Sequence, residues 1–170
     1  MNNHRGFTLI ELIIYLGVLT IIVIVVSSFL LWMVRSTTKA KVVRDTASNA
    51  RRAMNIMAQE IREADSLYTP TSSSTQLSLQ TSRNTPAGET TTYIDFFLCG
   101  NSLCLKRESA NPVSLTSGNV LVTQLEFVEV TTSSVPSIQI SLRIDYKNPG
   151  NKVDLEAFFA ATSTVSLRSY

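Results

Sequence analysis

The chain is predicted to be α+β: one long N-terminal α-helix, its first half transmembrane, its second half packed on a C-terminal antiparallel β-sheet domain. Three features predict this. Residues 7–34 are apolar and carry a single charged side chain, Glu11. Neither Pro nor Gly occurs between Val18 and Tyr68, so nothing punctuates the backbone over that length. Beyond Pro70 the spacing of apolar residues changes from helical to alternating, the period of a half-buried strand.

The apolar run comes first. About 20 such residues suffice to cross a bilayer as a helix at 1.5 Å rise each, and residues 7–34 exceed that. A secretory signal has a shorter apolar core and a small-residue cleavage site. No such site follows Val34, so the segment is expected to stay attached. Farther on, Val43, Ala47, Ala50, Met54, Met57, Ile61 and Ala64 recur at alternating steps of four and three and form one apolar stripe. Lys41, Arg44, Asp45, Arg52, Asn55, Gln59, Arg62 and Glu63 fall on the wet side. An unbroken helix from Phe7 to about Leu67 would measure on the order of 90 Å. No single small domain can cover it, so its first half needs a bilayer or a bundle of other helices.

Thr69, Pro70, Thr71 and the serines at 72–74 form a loop by composition, and Pro70 ends the helix. Strands are then expected at residues 76–79, 93–98, 120–130 and 137–146. The third changes phase near Thr123 and Gln124, as at a bulge. The fourth alternates most cleanly, with Ile138, Ile140, Leu142, Ile144 and Tyr146 on one side and Gln139, Ser141, Arg143 and Asp145 on the other. A turn at residues 147–151 leads to a last strand at 153–159, making a hairpin. Alternation of this kind suits an antiparallel sheet with one face buried and one wet, and the Val43–Ala64 stripe is the expected cover.

Composition excludes several function classes. The 170 residues allow one domain plus an anchor. Eight basic residues face five acidic ones before Tyr68, and seven face eight after it. A globular part so close to neutral does not by itself attract nucleic acid. His4 is the only histidine, there is no Gly-x-Ser-x-Gly elbow, and no glycine-rich loop precedes a basic residue. Glu126, Glu129, Asp145, Asp154 and Glu156 fall on expected strands, where solvated faces supply carboxylates routinely. No catalytic residue, metal site or cofactor is expected. Arg35, Lys39 and Lys41 read as cations snorkelling at the end of a span, with anionic lipid headgroups as the sharper alternative. Cys99 and Cys104 flank a tight turn at Gly100 and Asn101. They are a disulfide candidate for an oxidising compartment, the alternative being two reduced thiols on a hairpin. Two thiols alone are too few ligands for zinc.

One carboxylate near the start of an apolar span is the informative feature, because an intramembrane charge costs roughly 3 kcal/mol or more and normally marks function. Glu11 lies in the string Gly6, Phe7, Thr8, Leu9, Ile10, Glu11, Leu12, Ile13, behind the polar leader of residues 1–5. That string resembles the N-terminus of a type IV prepilin. The resemblance implies cleavage between Gly6 and Phe7 by a prepilin peptidase, methylation of the new terminus at Phe7, and a filament subunit rather than an enzyme. It further implies that Glu11 neutralises the freed N-terminal amine of a neighbouring subunit, which is charged at neutral pH. No helix-kinking proline interrupts the apolar segment, and the cysteines are close together in mid-domain, unlike many major pilins. Residues 59–64 followed by a β-rich part look more like the minor pseudopilins of type II secretion, the J-type among them.

The expected organisation is therefore a leader at residues 1–6, a transmembrane or filament-core helix at 7–34, an amphipathic continuation at 35–68, and an exported β-rich domain at 69–170. Expected partners are prepilin peptidase, other pilin or pseudopilin subunits, an inner-membrane assembly platform and the lipid bilayer. The expected location is a single-pass membrane form and then a surface or periplasmic filament. Cation counting opposes that orientation: Arg35, Lys39, Lys41 and Arg44 follow the span and only Arg5 precedes it, which favours a cytoplasmic C-terminal part. The resemblance and the paired cysteines favour export. A membrane-anchored monomeric binding or sensor domain is the rival reading, and it needs neither Gly6 nor Glu11.

Overall fold

The computed structural model describes residues 8–130 and 136–167. It contains one helix, α1 (Leu9–Glu63), and eight strands: β1 (Ser66–Leu67), β2 (Leu77–Thr81), β3 (Thr92–Cys99), β4 (Ser102–Arg107), β5 (Val113–Ser114), β6 (Val120–Val130), β7 (Ser137–Tyr146) and β8 (Phe158–Ser166). A 3-10 turn at Val153–Leu155 precedes β8. The fold is α+β, and every strand pairing is antiparallel. Strands β1 to β5 form one sheet in sequence order, and β6 to β8 form a second. Contacts divide the chain into two units, Met1–Thr38 and Lys39–Tyr170.

In the first unit the described part is helix alone. Its apolar side chains are exposed, among them Ile24 at 64 % and Trp32 at 66 %. By length and composition this helix can cross a membrane. The hydroxyls of Thr20 and Thr37 donate to the carbonyls of Gly17 and Val34 three residues back, at 2.8 and 2.9 Å. Each thus satisfies its polar atom within its own helix, as a hydrocarbon setting requires.

In the second unit a single cluster of buried side chains draws on α1 and both sheets. Ala50, Ala53, Met57 and Ile61 join Leu79 of β2, Phe96 of β3, Leu103 of β4, Leu125 of β6, Val165 of β8, and Ile138, Ile140, Leu142 and Ile144 of β7. The buried stripe differs from the sequence expectation at its start. Val42 and Thr46 are buried, whereas Val43 is 48 % exposed. Thr46 can be buried because its hydroxyl donates to the Val42 carbonyl at 2.9 Å, so no polar atom is stranded. Apolar spacing alone does not mark a threonine as core; from Ala50 to Ala64 the expected stripe is buried.

The helix also ends at Glu63 rather than near Leu67. The next backbone groups are taken by β2: the Asp65 and Tyr68 amides donate to the carbonyls of Gln80 and Ser78, each at 2.9 Å. Tertiary pairing thus stops the helix before Pro70 could. One face of β2 expected to be wet is covered. Ser78 is fully buried beneath the loop after β1, where the Ser72 hydroxyl accepts from the Ser78 amide at 3.1 Å. Ser78 in turn donates to Asp95 at 2.6 Å.

The bulge expected near Thr123 is present, as a register shift between Val122 and Gln124. The last strand is displaced. Residues 153–155 are a 3-10 turn, not a strand, so Asp154 and Glu156 lie outside the sheet, and β8 begins at Phe158. The cause is local: the Asn148 side chain donates to the Lys152 carbonyl and accepts from its amide at 2.9 and 3.0 Å. This clamp closes the turn on itself and postpones pairing until Asp145 meets Phe158.

Ile140 is wholly buried at the centre of β7. Ile140→Ala should lower unfolding stability by about 3 kcal/mol, read as a reduced midpoint in chemical denaturation of the full chain in detergent. The exposed Thr162→Ala should shift it by less than about 0.5 kcal/mol.

Candidate functional site

The candidate residues lie at the start of α1. Phe7 and the leader at 1–6, Gly6 included, lie outside the described residues. Glu11 sits in the first turn of the helix, where a negative charge complements the positive helix end. The Glu11 and Leu12 amides donate to the Thr8 carbonyl at 3.1 and 3.3 Å, so regular helical bonding is under way at this residue. The Tyr15 hydroxyl donates to Glu11 Oε1 at 3.2 Å. Spacing of four residues places the two side chains on neighbouring turns. Sequence reasoning weighed Glu11 alone; that spacing was the signal for Tyr15.

Glu11 is half-buried among side chains that are otherwise exposed and apolar, including Leu9, Ile10, Leu12, Ile13 and Ile14. A carboxylate accepts up to about four hydrogen bonds, and one phenol leaves it able to accept from a cationic donor as well. The chemistry available is recognition of a positive group in an apolar setting. Proton transfer is not suggested, since no other Asp, Glu, Lys, Arg or His lies between Thr8 and Val34.

Residues 1–34 match the family model described as the prokaryotic N-terminal methylation motif. This N-terminus is type IV prepilin-like. The match spans the leader, the expected cleavage site and the apolar helix up to Val34, and a prepilin-like segment of this kind belongs to structural proteins. No curated protein matches the chain, and no solved structure does.

Elsewhere the structure places the other singled-out residues as follows. Cys99 and Cys104 are joined by a disulfide with Cα atoms 5.9 Å apart. They lie across the β3–β4 hairpin, whose register pairs Cys99 with Ser102 and Phe97 with Cys104. Gly100 holds the positive φ of 66° that suits the first central position of a two-residue type II′ turn. Lys39, expected to snorkel at the end of a span, instead donates its ammonium to the carbonyls of Val153 and Glu156. It ties the β7–β8 connection to the helix. Glu126 and Glu129 are exposed on β6, and Asp145 pairs with Arg143 at 3.1 Å. Those carboxylates do not converge. Among the described residues no three His, Cys, Asp or Glu side chains gather where a metal could sit.

The disulfide closes a short loop, so the chain-entropy estimate of its contribution is about 2 kcal/mol. Cys99→Ser with Cys104→Ser should lower stability by roughly that amount, measured by denaturation of the oxidised parent and the double variant. The parent should show no reactive thiol until reductant is added.

Proposed function

We propose that this protein is a structural subunit of a type IV pilus-like filament, a minor pilin or pseudopilin inserted in the inner membrane and drawn from it into the polymer. Prepilin peptidase cuts between Gly6 and Phe7, and Phe7 is methylated. Residues 7–34 then hold the subunit in the bilayer and afterwards in the filament core. The continuation at 35–68 carries the β-rich part at 69–170, which is exported. The minor, J-type-like assignment belongs to this proposal, resting on the β-rich C-terminal part and the missing helix proline.

One observation carries the reading: the N-terminal methylation motif coincides with a helix whose apolar side chains are exposed. Glu11 supplies selectivity. An unpaired carboxylate in a low-dielectric setting is costly, whereas the same group beside a cation and hydrogen-bonded is not. Cleavage after Gly6 creates that cation at Phe7. The amine of an incoming subunit meets Glu11 of one already in place, and the exchange favours a fixed axial register. Tyr15 holds the carboxylate in its orientation.

Mass spectrometry of the membrane form should show a chain starting at methylated Phe7; an intact Met1 terminus would defeat the processing step. Glu11→Ala should insert in the membrane normally and lose at least about tenfold in filament incorporation, the size expected when a buried charge loses its partner. Normal incorporation removes Glu11 from the mechanism. Gly6→Leu separates the filament reading from that of an anchored monomeric domain, because only a filament subunit loses function with its cleavage site.

A further inference from the structure

Charged side chains that find no partner within a chain are the ones left to meet another molecule. Among the described residues the ion pairs are Arg83 with Glu63, Arg107 with Glu60, and Arg143 with Asp145. Two features remain unmatched. The first is a basic face on α1. Lys41, Arg44, Arg52 and Arg62 are exposed. With the uncharged positions 48, 55 and 59 between them they follow at steps of three and four, the spacing of one helical face. That face is about 30 Å long. Asp45 and Glu63 lie half-buried on its flank, and Glu63 already pairs with Arg83. None of the four cations makes an ion pair among the described residues.

The second is a recess of about 250 Å³. Leu67 of β1, Leu77 of β2, Phe127 of β6 and Ile138 of β7 supply apolar walls, and Glu129 is the one charged side chain that lines it. The Ser72 and Ser73 hydroxyls in the lining are engaged by backbone: they accept from the Ser78 and Gln76 amides, each at 3.1 Å. The exposed Glu129 carboxylate has neither hydrogen bond nor ion pair among the described residues. An apolar slot with one unmatched acid suits a cation carried on an apolar stem. The methylenes pack against the walls while the head reaches the carboxylate.

We propose that this recess takes an arginine from the basic face of α1 in a second copy of the chain. Charge complementarity identifies the occupant. No α1 residue lines the recess. The basic face lies opposite the side of α1 on which Ala53, Met57 and Ile61 share a core with Leu77, Phe127 and Ile138. Recess and face therefore do not meet within one chain, and between copies each supplies what the other lacks. A guanidinium suits the site better than an ammonium, being less strongly hydrated and able to grip a carboxylate with two donors. Arg44 and Arg52 are the residues assigned. An exposed ion pair alone contributes little, so the walls matter as much as the charge. Because the two surfaces differ, each contact leaves a recess free on one copy and a basic face free on the other, and copies can add head to tail. The contact extends the filament reading to a like neighbour, yet needs neither cleavage after Gly6 nor Glu11.

The test is sedimentation equilibrium of the full, unprocessed chain in a density-matched uncharged detergent. No other pilin is present, so its outcome is separable from that of the filament reading. The parent should associate as concentration rises, and added salt should weaken the association. Glu129→Arg should weaken it about tenfold, and so should Arg44→Glu combined with Arg52→Glu. Mixing the two variants restores opposite charges across the contact and should recover association to within about twofold of the parent. All three substituted side chains are exposed, and an unchanged denaturation midpoint checks that each variant folds. A parent that stays monomeric overturns the proposal, since the recess is then left for a cation of a different protein. Association that Glu129→Arg leaves intact also overturns it, as does a mixture that associates no better than either variant alone.

Discussion

Between Leu9 and Val34 every large apolar side chain of α1 is exposed among the described residues. Removing apolar surface from water is worth about 25 cal/mol per Å², so a stripe this long, apolar on all sides, demands a non-aqueous surround. A bilayer supplies one and a bundle of like helices supplies another. Both accept the same helix because each asks only that backbone and hydroxyl groups be satisfied internally, as those of Thr20 and Thr37 are. Glu11 accepts from Tyr15 within its own helix; in the filament proposed above, the freed amine of a neighbouring subunit would be its second partner.

The second unit is organised around the far end of the same helix. Two sheets, one of five strands and one of three, share a single core with Ala50, Ala53, Met57 and Ile61. The wholly buried alanines leave room for close packing where larger side chains would hold the helix off. Polar ties at the periphery fix position rather than supply bulk stability: Arg107 with Glu60, Arg83 with Glu63, and Lys39 with the carbonyls before β8. Exposed pairs of this kind contribute at most about 1 kcal/mol each. Their service is to hold loops against α1, so that the sheets present defined edges. Among the described residues, β8 is the long edge strand whose outer backbone groups no backbone hydrogen bond reaches.

The reading of the sequence succeeded where a periodic signal ran long. The helix, the Ile138 to Ile144 alternation of β7 and the bulge after Val122 are each carried by many residues or by a clear change of phase. It erred where one contact outweighed the pattern. The stripe was expected to begin at Val43, but Val42 and Thr46 take that place, the Thr46 hydroxyl donating to the Val42 carbonyl. Residues 153–159 looked like a strand until Asn148 clamped Lys152. The strand that replaced them is rich in alanine, threonine and serine, too weakly apolar to stand out. Lys39 read as a cation snorkelling at the end of the span because its acceptors come from residues more than a hundred positions away.

By itself the sequence determined the class of the fold, the membrane-length apolar helix and the prepilin-like segment around Glu11, because these depend on composition and near-neighbour spacing. Only the tertiary structure decided where the helix stops, which face of its second half is buried, which cysteine and lysine contacts form, and which strand is left with a free edge. Those outcomes rest on pairings between distant residues, whose geometry no local pattern encodes.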